Sequence, residues 1–167
     1  MPEDNSTQKG KRPSWDEYFL GVMDRVAERG TCDRGKVGAL VVVDRRIVAT
    51  GYAGSPPGQP HCNEAGHLMH DVIDEEGHQS KHCIRTIHAE QNVICQAAKH
   101  GISLDGGTIY CKMTPCFVCA KMIVGVGIKR VVAQKRYHAE KLTIELFESA
   151  GVQLDVLEDK LEEYDNQ

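Results

Sequence analysis

Thr86-Ile87-His88-Ala89-Glu90, answered downstream by Thr114-Pro115-Cys116-Phe117-Val118-Cys119, organises this chain of 167 residues. His-x-Glu followed by Pro-Cys-x-x-Cys supplies three zinc ligands and leaves one carboxylate over. A catalytic zinc takes three protein ligands and keeps a fourth place for water. His88, Cys116 and Cys119 fill the three places, and Glu90 is left free to move protons. Either half alone means little, because Cys-x-x-Cys is also a redox pair or half of a structural zinc site. Here the halves come in order, about a helix and a strand apart. Each opens an apolar, helix-like run, Asn92 to Ala98 and Ala120 to Val126. Helix N-termini carry partial positive charge and lower the pKa of thiols placed there, which suits zinc-bound thiolates.

Around this pair the composition is that of an ordinary globular domain, 41% hydrophobic and 26% charged. Such a length fits one domain with a substantial core. No apolar run approaches the roughly 18 residues needed to span a bilayer. Residues 1–13 read as a short disordered lead without the apolar core of a signal peptide, so a cytoplasmic location is expected. Seven cysteines are an odd number and keep company with histidine, which favours metal over disulfides. Six of the eight histidines lie between His61 and His88. A net charge of −4 argues against a broad nucleic-acid face but admits a small anionic substrate, which needs only one or two local cations.

Upstream, Ser14-Trp15-Asp16-Glu17 is a capping box. It opens a helix to about Arg29, with Tyr18, Phe19, Val22, Met23 and Val26 as its core-facing positions. Val37 to Val43 and Ile47 to Tyr52 are β-branched runs joined by Asp44-Arg45-Arg46, a hairpin. Between Ala53 and Cys83 the pattern breaks into a long loop rich in Gly, Pro and His, and a metal is the obvious tie for it. Downstream come strand Thr108 to Cys111, strand Arg130 to Gln134, a helix from Ala139 to Ala150, and strand Val152 to Leu157. Strands alternating with helices imply right-handed crossovers and a mostly parallel region. The expected architecture is a hairpin plus β-α-β-α-β: one five-stranded mixed sheet with helices on both faces. The acidic segment 158–167 reads as a tail, in part a frayed helix. Cys95 and Cys111 read as buried small hydrophobes.

From Ser14 to about Leu157 the chain resembles the deoxycytidylate (dCMP) deaminases of the cytidine-deaminase superfamily. The pieces that carry the likeness are Ser14-Trp15-Asp16-Glu17-Tyr18-Phe19, Lys36-Val37-Gly38-Ala39 and Gly51-Tyr52-Ala53-Gly54-Ser55-Pro56, with Ile87 to Asn92 and Pro115 to Met122. The resemblance implies a three-layer α/β/α fold, with residues 14–157 as a zinc-dependent domain that converts dCMP and water to dUMP and ammonia. It makes Glu90 the group that takes a proton from water, passes it to ring N3 and then protonates the leaving amine. By the same resemblance the Ala89 N–H meets the pyrimidine O2 and Tyr137 packs against the base. The family usually has Gly-Tyr-Asn-Gly, whose Asn contacts the sugar hydroxyl. Ala53 stands there in this chain, and it makes dCMP itself the open point.

The resemblance further implies a second, structural zinc on Cys32, Cys62, His67 and Cys83, with His61, His70, His78 and His82 as rival ligands. Arg85 is the first candidate for the substrate phosphate and Lys112 the next, while Lys99 is placed at a subunit contact. A hexamer activated by dCTP with Mg2+ and inhibited by dTTP is the family expectation. Three other functions stay open: deamination of dCTP or a modified dCMP, of a base in nucleic acid, or a non-catalytic zinc protein. The spare carboxylate of Glu90 argues against the last.

Overall fold

The computed structural model describes residues 12–75 and 77–162. The expected N-terminal lead lies almost wholly outside the described residues, as does the end of the tail after Glu162. Helix α1 (Trp15–Ala27) starts where the capping box puts it: the Glu17 N–H donates to Ser14 Oγ at 3.2 Å, and the Ser14 N–H donates to Glu17 Oε2 at 2.7 Å. It buries Phe19, Leu20, Met23 and Ala27, whereas Tyr18, expected in the core, is 48% exposed. Its ring lies off the buried stripe and meets Phe19 edge-on.

Strand β1 (Gly38–Val43) has the run Gly-Ala-Leu-Val-Val-Val because it is covered on both faces. It pairs antiparallel with β2 (Arg46–Tyr52) and with β5 (Thr108–Met113). Beyond β5, β6 (Arg130–Lys135) and β7 (Gln153–Val156) run parallel to it, and the sheet order is β2-β1-β5-β6-β7. The β1–β2 turn is tighter than the sequence suggests. Asp44 and Arg45 both take positive φ, 49° and 61°, as in the two-residue turn that matches strand twist, and Arg46 already pairs with Val43.

On one face of the sheet, α3 (Ala89–His100), α4 (Phe117–Gly125) and α5 (Lys141–Ala150) enclose the main core around Val41, Val93, Ile109, Ile123, Val131 and Phe147. On the other face α1 closes a smaller core with Leu40, Tyr110 and Val132. The architecture is therefore the α/β/α, mixed five-stranded one expected. Gly51 allows a close backbone approach, since a Cβ there would lie 2.4 Å from the Val93 nitrogen and 2.6 Å from the Ala89 carbonyl oxygen of α3.

Three expectations are corrected. The 53–83 segment is not a patternless loop: it folds into α2 (Cys62–Ala65) and an antiparallel ribbon, β3 (Met69–Ile73) with β4 (Gln79–Cys83). The ribbon pairs only with itself and matches His70 with His82 and Asp71 with Lys81, so no apolar face marks it in sequence. Residues 158–162 are not a frayed helix either. They run beside the end of β6, where the Arg136 N–H donates to the Lys160 carbonyl and the Glu162 N–H to that of Arg136. Glu162 is then held by Lys112 and Lys135. Finally, Cys111 is buried but Cys95 is exposed, because it sits on the outer side of α3 away from Val93 and Ala97.

A buried-edge ion network locks α1 to the sheet. Arg130 donates to both Asp16 oxygens at 2.9 and 2.8 Å and to Asp155 at 2.7 Å, and the Tyr110 hydroxyl donates to Asp16 at 2.7 Å. The Arg130 guanidinium holds the Asp16 carboxyl below its usual range, against the opposing effect of burial. A carboxyl depressed on folding stabilises the fold above its unfolded pKa of about 3.9 and loses that contribution as pH falls through the folded value. Asp16→Asn is expected to cost about 1–3 kcal/mol at pH 7. The gap from the native chain should close as pH falls below about 4, which thermal melts across pH would follow.

Candidate active site

Two helix starts meet at the carboxyl ends of β2, β5 and β6. His88 is the N-cap of α3 and Cys116 the N-cap of α4. The His88 segment is docked by reciprocal backbone bonds between Ile87 and Gly54, and α3 is tied to β2 by Asn92 Nδ2 donating to the Tyr52 carbonyl at 2.9 Å. The Cys116 segment is held by Thr143, whose hydroxyl donates to the Pro115 carbonyl at 3.0 Å, and by the Thr114 N–H donating to Lys135. His88 Nδ1 then lies 3.5 Å from Cys116 Sγ and 3.4 Å from Cys119 Sγ. Tetrahedral zinc with bonds of about 2.3 Å to sulfur and about 2.0–2.1 Å to nitrogen sets N···S edges near 3.5 Å. The three donors fit that ion.

The electrostatics agree with a cation at their centre. Cys116 is lowered to about 4, first by its bond with Cys119 and then, against burial, by His88. His88 is raised to about 9, chiefly by Cys116. A thiolate that draws a proton onto its neighbouring imidazole is ready to exchange that proton for a metal. Glu90, at the second helical position of α3, is 4% exposed and stands just outside the donor set, its Oε2 3.9 Å from Cys119 Sγ. Burial raises its carboxyl pKa, opposed by the neighbouring His88.

One cavity opens on this group, and Ala53, Ala89, Glu90, Thr114 and Tyr137 are among its walls. Ala89 is the first helical residue of α3, where the N–H has no intrahelical acceptor. Tyr137 follows β6, its ring 4.3 Å from that of His138, and burial pushes its phenol up to about 12. Ala53 contributes only its methyl, since its N–H donates to Val37 and its carbonyl accepts from Thr31.

Cys32, Cys62, His67 and Cys83 also come together, with all four donor atoms within 4.8 Å of one another. Cys32 Sγ is 3.7 Å from His67 Nδ1, and Cys62 Sγ is 3.6 Å from Cys83 Sγ. These too are tetrahedral edges, and three thiols with one imidazole make a closed donor set. Asp33 Oδ1 lies 2.9 Å from His67 Nε2, which leaves Nδ1 as the ligand nitrogen. Burial pushes the Cys62 thiol up to about 12. Cys83 falls to about 7, because backbone N–H groups of Arg85 and Leu68 and the His67 ring outweigh its burial. His61, His70, His78 and His82 stand outside the set.

The cations are not where sequence proximity put them. Arg85 does not line the cavity; its Nε donates to the Gly66 carbonyl at 3.0 Å. Lys112 sits on the α1 face of β5, 3.5 Å from Glu162. Lys99 is exposed at the far end of α3, away from the cavity. Arg34, Lys81 and His82 occupy the rim instead. Lys81 is paired with Asp71 at 3.3 Å, and the His82 imidazole is held down by burial and by His88. Of these three only His82 stands out in the sequence, as a rival metal ligand, and the ribbon that presents Lys81 and His82 has no apolar face to mark it.

The family model described as "Cytidine and deoxycytidylate deaminase zinc-binding region" matches residues 13–135. The chain is 43% identical over 148 residues to ComE operon protein 2 of Bacillus subtilis, covering 89% of this chain and 74% of that protein. It is 36% identical over 143 residues to the deoxycytidylate deaminase of Schizosaccharomyces pombe, 86% of this chain but 44% of that one. Among solved structures, the dCMP deaminase of cyanophage S-TIM5, in complex with dCMP and dUMP, superposes with a TM-score of 0.69 at 29% identity. That match covers 88% of this chain and 99% of the phage protein.

Proposed function

The chain belongs to the cytidine and deoxycytidylate deaminase zinc-binding family, and on that premise we propose that it hydrolyses dCMP to dUMP and ammonia. The observation that carries the reading is Glu90, buried beside His88, Cys116 and Cys119 yet outside the donor set, at the wall of a cavity. A structural zinc has no use for such a carboxylate. His88, Cys116 and Cys119 would hold zinc, which would supply the Lewis acidity that makes water a nucleophile near neutral pH.

The chain's own residues do the rest. Glu90 accepts the proton of the attacking water and delivers it to ring N3 as C4 becomes tetrahedral. It then takes the proton of the new C4 hydroxyl and passes it to the exocyclic amine, and the C4–N bond breaks to release ammonia as the C4 carbonyl forms. The Ala89 N–H donates to the pyrimidine O2, and the Tyr137 ring covers the base. Cys32, Cys62, His67 and Cys83 hold a second zinc with no open place. Regulation by dCTP with Mg2+ and by dTTP, in a hexamer, belongs to the same proposal through similarity to the family.

A second reading, another cytosine nucleotide such as dCTP or a modified dCMP, draws on Ala53, whose methyl replaces a polar contact at the cavity wall. Ammonia release from dCMP, dCTP, CMP and deoxycytidine, with zinc counted on the same sample, separates the two. The expected result is two zinc ions per chain and dCMP as the fastest substrate. Faster release from another nucleotide transfers the assignment to that compound.

A further inference from the structure

Residues 157–162 are held in place without a core. Leu157 and Leu161, the apolar side chains of the segment, are 50% and 54% exposed. What fixes the segment is polar and falls at one place, the exit of β6. The Leu157 and Glu158 N–H groups donate to the Ala133 and Gln134 carbonyls at 3.0 and 2.9 Å. The Arg136 N–H donates to the Lys160 carbonyl at 2.8 Å, and the Glu162 N–H donates to the Arg136 carbonyl at 2.9 Å. Asp159 accepts from Arg136 Nε, while Arg136 Nη1 donates to Glu140 at 2.6 Å. The Glu162 carboxylate, only 8% exposed, lies 2.7 Å from Lys135 Nζ and 3.5 Å from Lys112 Nζ. A carboxylate so far withdrawn from water is stable only beside such partners.

The exit of β6 is also where the cavity begins. Tyr137 directly follows Arg136, Met113 directly follows Lys112, and both Tyr137 and Met113 line the cavity with Glu90. Tyr137 lies between β6 and α5, outside both, so no strand ladder or helix fixes its backbone. The peptide unit before Arg136 is held at both edges, its carbonyl by the Thr114 N–H and its N–H by Lys160. The next unit, which leads into Tyr137, is held by Glu162 through the Arg136 carbonyl. Peptide units are planar, so fixing two in succession sets where the Tyr137 Cα stands.

We infer that residues 157–162 form a strap that sets the Tyr137 ring against the base, with Glu162 and Asp159 as its positioning residues. The inference rests on the dCMP reading and goes beyond it by giving the acidic segment a part in substrate affinity. The strap's bonds go to β5, β6 and Arg136, whereas Glu90 is carried by α3. Loosening the strap should therefore weaken binding and spare the proton transfers.

The test uses the full chain loaded with zinc and measures calorimetric binding of the product dUMP beside kcat and KM for dCMP. Glu162→Gln keeps the shape of the side chain and removes its charge. It should weaken dUMP binding and raise KM by on the order of 3–10-fold, with kcat within about twofold and zinc content native. Asp159→Asn, at an exposed carboxylate, should move the same two quantities the same way by less. Tyr137→Ala should weaken dUMP binding by about 10-fold or more, the scale of base–aromatic stacking. In the Tyr137→Ala chain, Glu162→Gln should add less than about twofold, because the strap has lost what it positions. Equal effects of Glu162→Gln with and without the Tyr137 ring, or a loss confined to kcat and melting temperature, overturn the inference. Native affinity in Tyr137→Ala, or in Glu162→Gln, while the native chain turns over dCMP also overturns it and leaves the functional reading standing. A native chain inert to dCMP and blind to dUMP overturns the functional reading first, and the inference with it.

Discussion

Glu90→Gln is expected to lower dCMP turnover by about 10²–10⁴-fold, the range that a positioned general acid–base contributes. Glutamine keeps the length and shape of the side chain, so packing at this buried site is retained. It cannot accept a proton from water or return one to the leaving amine. The donors His88, Cys116 and Cys119 do not include Glu90, so zinc content should match the native chain. Steady-state rates paired with metal analysis check both halves. A variant with native zinc and a rate within a few-fold of native would sink the role assigned to Glu90.

Gly51→Ala should be a damaging substitution in the scaffold. Its new methyl would meet backbone atoms of α3 at 2.4 and 2.6 Å, and a helix backbone cannot rotate away as a side chain can. Overpacking of this kind costs about 1–3 kcal/mol. In a domain of this size that is a fall in Tm of about 2–12 °C. The atoms met belong to Ala89 and Val93, in the first turns of the helix that carries His88 and Glu90. A displacement of about 1 Å at reacting groups can cost about 10²-fold in rate, so activity should drop beyond what the melting shift explains. Gly21→Ala is the control: it sits in α1 with nothing within 4 Å of the added methyl, and should hold or raise Tm. Equal melting behaviour of the two variants would refute the close-approach argument.

What could be read in advance follows the range of the physics involved. The helix starts, the five strands and the donors His88, Cys116 and Cys119 announce themselves through neighbours a few residues apart, as caps, β-branched runs and fixed ligand spacing. The second donor set was placed through resemblance, and Cys32 does meet Cys62, His67 and Cys83 across 30 to 51 positions of chain. The ribbon has no sequence signature because polar and apolar residues are mixed on both of its faces. Arg85 is three residues from His88, yet it sits in the turn after β4 and its guanidinium is engaged with the Gly66 carbonyl. Arg34 is remote in sequence and arrives at the rim only through the fold.

The self-contained pairing of β3 with β4 has a consequence for how such a protein changes over generations. The five-stranded sheet is complete without the ribbon, so insertions, deletions and charge swaps between Met69 and Lys81 leave the pairing of that sheet untouched. One wall of the cavity can therefore be rewritten while the opposite wall is inherited intact. Descendants of one deaminating centre can in this way diverge in what they accept without reinventing how they react.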